Sequence, residues 1–407
     1  MDAPPIFNFS TPTVDVCDDI HQCRTLFQII SPCLTTISLC TWIALHLNVP
    51  PPGLSRIKGL WLKLRMLLLA LIAPELMLVF AARQYIVARR IVEAYQHAHM
   101  TPTHAHFFIM GGFVTPKPDR HPIATMAQLR VYLDAIVAVP EADIKDKSKQ
   151  DAIAKLLTLG QVLWFVIQTV LRRFDGLPLS ALEVVTFAFA GLHMITWWTW
   201  KDKPRDVAEA IEIQFHDECM SLTRVDSDFD PEQQKLILHT GSPYREDAAP
   251  EPLTIVPHLD GIMFGGYPNY LPTSHTAVPS FWSTDRPPVG YALLGQIILS
   301  VVFGLVHCWA WNSSFPTQVE MWMWRTCALW ITGCIPMWAL LMPVRLSFPE
   351  QSMPRRVLRF VGLVLLGAYI LSRVILIVLS FTTLRGLPVE IFITVDWMDA
   401  LSPMLTP

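Results

Sequence analysis

Four side chains of this sequence could do acid–base work away from water: Glu75 in LIAPELML, Glu183 in SALEVVTF, His104 in TPTHAHFF and Arg373 in AYILSRVI. An ionisable group held among apolar residues costs a few kcal/mol, so each calls for a partner or a purpose. Carboxylates beside an internal cavity could act as a general acid or base, with the guanidinium binding an anion. The plainer alternative is an ion pair that ties helices together, Arg373 with Glu75 or with Glu183. Arg373 lies well inside its apolar run, so it does not easily reach water along its own side chain.

Other polar residues carry weaker signals. The stretch HAHMTPTHAHFFIMGGF, from His97 to Phe113, holds two H-x-H pairs. On a helix such pairs diverge, and no nearby cysteine or carboxylate completes a ligand set, so no metal is expected. Gly111 and Gly112 lack the context of a phosphate loop and read as a close-packing turn. Glu212 and His216 in EIQFHDEC share a helical face with metal-like spacing beside Asp217 and Glu218, but a solvated charged face accounts for them better. His193 and His307 lie among Trp197, Trp198, Trp200, Trp309 and Trp311, where an aromatic belt would make them interface residues. Gln161, Gln168 and Gln296 read as interhelical hydrogen-bonding groups. No cofactor motif is present.

The elements that position these groups must be membrane helices. Of 407 residues, 52% are hydrophobic and only 16% charged, with 14 tryptophans, and the mean hydropathy is +0.39. That is too apolar for an ordinary soluble chain. A hydrocarbon core needs roughly 20 apolar helical residues. The windows Thr25–Leu47, Met66–Ala88, Lys155–Leu171, Ala181–Trp200, Tyr291–Trp311, Met323–Val344 and Leu358–Phe381 approach or meet this. The expected fold class is an all-α, polytopic helical bundle with six or seven membrane segments and cytoplasmic helices and loops. The net charge of −3, without a long basic run, excludes nucleic acid as a partner. Membrane lipids and a lipophilic small molecule are the expected partners.

Charge orients the chain. Asp15, Asp18 and Asp19 precede the first window, whereas Arg56, Lys58, Lys63 and Arg65 follow it, which puts the N-terminus in the lumen. Arg345, Arg355, Arg356 and Arg359 place the last link in the cytoplasm. Seven full crossings would put that link on the wrong side. Pro74 interrupts the second window, which therefore dips in and returns, or lies tilted at the cytoplasmic interface. The expected order is a lumenal segment 1–24, a first membrane region 25–200 with a long loop 91–154, a cytoplasmic helix and loop region 201–288, a second membrane region 289–381, and a lumenal tail 382–407. Within the long loop, MAQLRVYLDAIVAV reads as one amphipathic helix, and DIKDKSKQD leads helically into the third window. AEAIEIQFHDECMSL reads as a helix opening the second loop. Sequons at Asn8 and Asn312 would be lumenal, as in a glycoprotein. Cys33, Cys40, Cys308, Cys327 and Cys334 read as small core residues, and Cys17 and Cys23 could pair on an oxidising side. The N-terminus lacks the pattern of a cleavable signal peptide.

The segments LTTISLCTWIALHLNVP, LLLALIAPELMLVFAARQ, THAHFFIMGGF, LPLSALEVVTFAFAGLHMITWWTWKDKP and LRGLPVEIFITVDW together resemble a large group of fungal multipass membrane proteins. That group shows CTW before an HPNVP-like turn, an APEL turn, a T-H-G-F-F-x-x-M-G-G-F stretch, and a late L-P-x-x-A-[FY]-x-T-V-x-W. Glu75, Glu183, His104, Gly111, Gly112 and Trp397 fall on motif positions. Ala105 stands where the pattern has glycine and His106 where it has phenylalanine, while His97 and His99 have no place in it. The resemblance implies architecture and fungal origin rather than a particular chemistry.

Three function classes are expected. The first is an intramembrane enzyme for an isoprenoid or polyketide-like substrate of secondary metabolism, using Glu75, Glu183, His104 and Arg373 in acid–base isomerisation or cyclisation. The others are a transporter or receptor for a small hydrophobic molecule and a non-catalytic membrane scaffold. The host membrane would be the endoplasmic reticulum, another endomembrane or the plasma membrane.

Overall fold

The computed structural model describes residues 23–118, 120–148, 152–214, 267, 270–284, 289–349 and 352–394. Asn8, Cys17, His216, Asp217, Glu218 and Trp397 lie outside the described residues, as do residues 149–151 of the helical lead-in.

The chain is mostly helical. Helix α1 spans Leu26–Ala44, opened by a capping box in which Thr25 and Gln28 satisfy each other's backbone N–H groups. Helices α2 (Arg56–Ile72) and α3 (Pro74–Ala94) meet at Ala73 with a bend of 109°. Pro74 is therefore not inside one helix but at the first position of the second, where its missing N–H costs nothing.

A compact unit follows: α4 (Pro102–Ile109), the short strand β1 (Phe113–Val114), α5 (Met126–Val131), α6 (Leu133–Val137) and α7 (Glu141–Asp146). The expected single helix from Met126 is thus two, broken at Tyr132, which leaves helical geometry at ψ 12°. The unit buries Phe107, Phe108, Phe113, Ile123, Leu129, Ile136 and Ile144 in one core with the C-terminal half of α3.

Helix α8 (Ala152–Phe174) lies antiparallel on α1, with Val162 against Cys40 and Phe165 against Cys33. Gln161 Nε2 donates to Thr36 Oγ1 at 3.4 Å, the interhelical bond expected of it. Helix α9 (Ala181–Thr199) runs parallel to α1, since Arg24 meets Glu183 at their starts and Lys203 reaches the His46 carbonyl beyond their ends. Strand β2 (Ile211–Glu212) pairs in parallel with β1, Phe113 opposite Ile211. This overturns the helical reading of AEAIEIQF over its described part. The alternation Ile211-Glu212-Ile213 buries Ile213 in the compact unit, and the backbone N–H groups of Ile211 and Ile213 bond Gly112 and Val114. Helices α10 (Val289–Cys308), α11 (Gln318–Leu346) and α12 (Met353–Thr382) pack in sequence, α10 meeting α3 and α9 and α12 meeting α9 and α2.

Among the described residues three helices are long and apolar enough to cross a membrane, within Leu26–Ala44, Ala181–Thr199 and Met353–Gly386. Counting the bent α2–α3 pair as one span makes four. The windows at Lys155–Leu171 and Met323–Val344 are helical without meeting that measure, and the fifth contributes a shorter apolar helix, Ile297–Asn312. Cys33, Cys40, Cys327 and Cys334 are free and buried, whereas Cys308 is half-buried. Cys23 is disulfide-bonded.

Candidate functional site

The break between α2 and α3 is where buried charge gathers. Glu75 stands in the first turn of α3, where the helix N-terminus favours a carboxylate, and is 1% exposed. One carboxylate oxygen accepts a hydrogen bond from the Tyr369 hydroxyl, and Oε2 has no hydrogen-bond partner among the described residues. Tyr369 and Arg373 are four residues apart on α12, so both face the break. Arg373 is fully buried. Its Nε donates to the Ile72 carbonyl at 2.8 Å, one of the last carbonyls of α2, left without a helical partner by the bend. Its Nη1 donates to His307 Nε2 at 3.3 Å, while His307 Nδ1 donates to the Phe303 carbonyl at 2.8 Å, which fixes the tautomer. The guanidinium lies 4.4 Å from the Phe303 ring centre and 5.2 Å from that of Phe189. Nη2 has no partner.

Glu75 and Arg373 attract each other through space, but Arg373 forms no salt bridge among the described residues. The direct pairing expected of it is therefore not made; α2's carbonyl and His307 take its donors instead. His193 stacks on Phe189 with ring centres 5.8 Å apart and bonds the Phe189 carbonyl through Nδ1, leaving Nε2 without a hydrogen-bond partner among the described residues. His193 and His307 are 3% and 0% exposed, so neither is the interface residue expected from the neighbouring tryptophans. Arg373 and His193, each with a polar atom that has no hydrogen-bond partner among the described residues, thus share the Phe189 ring, and Glu75 joins them through Tyr369 on the helix that carries Arg373.

Glu183 sits elsewhere. It pairs in bidentate fashion with Arg24, at 2.5 and 3.2 Å, and its Oε2 also accepts from the Ser180 N–H and hydroxyl at 2.8 and 2.9 Å. Arg24 and Arg172 in turn bond the carbonyls of Ile391 and Ile393, stapling the C-terminal segment to the starts of α1 and α9. Arg24 was missed in sequence because it precedes the first apolar window.

His104 also sits apart. Thr101, which caps α4, holds its Nδ1 at 2.7 Å, and its Nε2 donates to the Val139 carbonyl at 2.8 Å. Both ring nitrogens are taken, so the ring ties α4 to the turn before α7. The nearby carboxylate, Glu141, is bonded by Thr103 and Lys145 rather than by His104. His106, on the other side of α4, is buried, and burial together with the Lys203 charge pushes its pKa down to about 3. Gly111 adopts φ +76°, and a Cβ on Gly112 would lie 2.5 Å from the Phe107 ring, so this turn is built for glycine.

A second polar centre was not foreseen. Lys203, 1% exposed, donates to His46 O at 2.6 Å, Gln84 Oε1 at 2.8 Å and Asn48 Oδ1 at 3.1 Å, over the Trp200 ring at 4.6 Å. Three acceptors use all three hydrogens of an ammonium, while burial pulls the lysine well below its ordinary pKa. Trp200 and Gln84 close the network, and Asn48 and Gln84 bond the backbone at Pro279–Trp282. In sequence Lys203 reads as one of several flanking charges in WKDKP; its only distinguishing mark is the adjacent Pro204.

Among the described residues no three His, Cys, Asp or Glu side chains gather as metal ligands. A cleft of 1280 Å³ lies in the compact unit between Arg120, Asp134, Asp143, Lys147 and Glu212. Residues 10–235 match the family described as a family of unknown function, DUF8562, and since this is more than half of the chain, the chain belongs to that family. No curated protein and no solved structure matches it.

Proposed function

We propose that this member of the family is an integral membrane enzyme of a fungal endomembrane. It acts on a lipophilic, isoprenoid or polyketide-like substrate by acid–base isomerisation or cyclisation at the α2–α3 break. The observation that carries this reading is the pair of buried atoms Glu75 Oε2 and Arg373 Nη2, neither with a hydrogen-bond partner among the described residues, the first on a carboxylate held by Tyr369 and the second on a guanidinium between Phe189 and Phe303. Buried polar groups are ordinarily bonded, and each exception needs an explanation. Glu75 takes a proton from the substrate through Oε2, and Arg373 donates to the oxygen on which negative charge develops. Tyr369 holds the other carboxylate oxygen, and His307 orients the guanidinium. Glu183 and His104, whose polar atoms are all taken up by protein, carry no step.

In this reading α1, α8, α9, α10, α11 and α12 cross the membrane, and α2 and α3 form a re-entrant V. Support comes from Ile72, which meets Arg373 well inside α12, whereas Gln84 on α3 has already returned to the level of Lys203, beyond the end of α9. The same broken helix favours a second reading, a proton-coupled transporter, because half-helix ends with an acidic first turn are a common ion-site design.

The test is metabolite profiling of a deletion strain complemented with wild type or Glu75→Gln. The enzyme reading expects a lipophilic product to vanish in the deletion and in E75Q, and a precursor to accumulate. Conversion by detergent-solubilised protein then separates catalysis from transport, which needs a sealed vesicle. An unchanged profile in E75Q would leave a scaffold and overturn both.

A further inference from the structure

Helix α2 carries an apolar face that no part of the described protein covers. Ile57, Leu60, Trp61, Leu64 and Leu68 are 72, 65, 58, 41 and 48% exposed, and their spacing of three and four residues puts them on one stripe. Met66 and Ala70, on the other side, are buried against the bundle. The helix RIKGLWLKLRMLLLALI has no acidic residue, and its basic residues concentrate in the half away from the break. Lys63 is neutralised by Asp206 at 2.7 Å, whereas Arg56, Lys58 and Arg65 are exposed and form no salt bridge among the described residues. The deep end, Ile72, meets Arg373 inside the bundle, so the stripe runs from a basic rim towards an apolar interior.

We propose that α2 is a wedge set in one leaflet of the bilayer, with the Ile57–Leu68 stripe among acyl chains and Arg56, Lys58 and Arg65 holding the phosphates of anionic phospholipids. A tryptophan on the apolar face and flanking cations on a tilted half-helix are the features by which interfacial helices select charged leaflets. A soluble protein partner would need no gradient from charge to hydrocarbon along the helix. The proposal stands on this exposed face and is independent of chemistry at Glu75.

The full chain, in nanodiscs of three parts phosphatidylcholine to one part phosphatidylglycerol, provides the test. Nitroxides on cysteines introduced as I57C, W61C and L68C, compared with the native-cysteine background, should report increasing depth from headgroup to acyl region. Phosphatidylglycerol retained on purification should exceed its share of the bilayer, and R56Q/K58Q/R65Q should lose on the order of fivefold in that preference for each charge removed. The exposed, conservative triple substitution leaves the packed face of α2 untouched. Labels at Trp61 and Leu68 as open to water as a surface loop, or a preference unchanged in the triple variant, would overturn the proposal.

Discussion

Glu75 and Glu183 are both buried glutamates near the start of apolar helices, yet their surroundings assign them opposite fates under the same substitution. Glu183→Gln keeps shape and removes charge. Both carboxylate oxygens accept from donors of Arg24 and Ser180, so the new amide N–H₂ must take the place of an oxygen that one of them now bonds. Breaking a buried ion pair costs about 3–5 kcal/mol, and since Arg24 and Glu183 side chains are only 9% and 6% exposed, solvent recovers little of it. With Arg24 still anchored on Ile391, a net loss of about 3 kcal/mol is expected, or a melting shift on the order of 6 °C for a chain of this size. Glu75→Gln keeps the oxygen that accepts from Tyr369 and breaks no direct ion pair, so its loss should stay below about 1 kcal/mol, roughly 2 °C. Both variants are melted in detergent beside wild type at one scan rate, followed by tryptophan fluorescence. A Glu183→Gln protein that melts with wild type while Glu75→Gln falls by several degrees would refute this division into staple and reactive group.

Gly112→Ala places a methyl 2.5 Å from the Phe107 ring and should destabilise by about 1–3 kcal/mol, read as a melting shift that Phe107→Leu in the same chain partly reverses. His106 is held neutral, with its pKa at about 3 against about 6.5 in the unfolded chain, so the unfolded state binds the extra proton below pH 6.5 and stability falls as pH falls through the window from 6.5 to 3. About 2 kcal/mol should be lost between pH 7 and pH 5. His106→Phe, the residue type of the resembled motif, should flatten that part of the melting profile; an equally steep profile would show that His106 is not its source.

Much of the architecture is written in hydropathy and termination signals. The windows at Thr25, Ala181 and Leu358 became α1, α9 and most of α12, and Pro74 marked the place where the second window bends. Arg373 deep in an apolar run correctly signalled burial, because a guanidinium there must be satisfied by the bundle. Its partners were not legible: Ile72 and His307 lie 301 and 66 residues away, and nothing local encodes such distances. The same holds for Glu183, whose partner Arg24 is 159 residues back. The segment around Glu212 misled because helical propensity was decided by pairing with Phe113–Val114, a tertiary choice over a local one. Lys203 was hidden for a simpler reason, since a flanking lysine ordinarily faces water and this one folds under Trp200.

The staple of Arg24 and Arg172 on Ile391–Ile393 also constrains counting. Arg24 N–H donates to the Phe392 carbonyl at 2.7 Å, and Cys23 bridges Ile393, so residues 23 and 393 touch. Two points in contact cannot lie on opposite sides of a bilayer. In the proposed membrane arrangement the number of crossings between them is therefore even, and any change that adds or removes a single crossing must also tear this joint open.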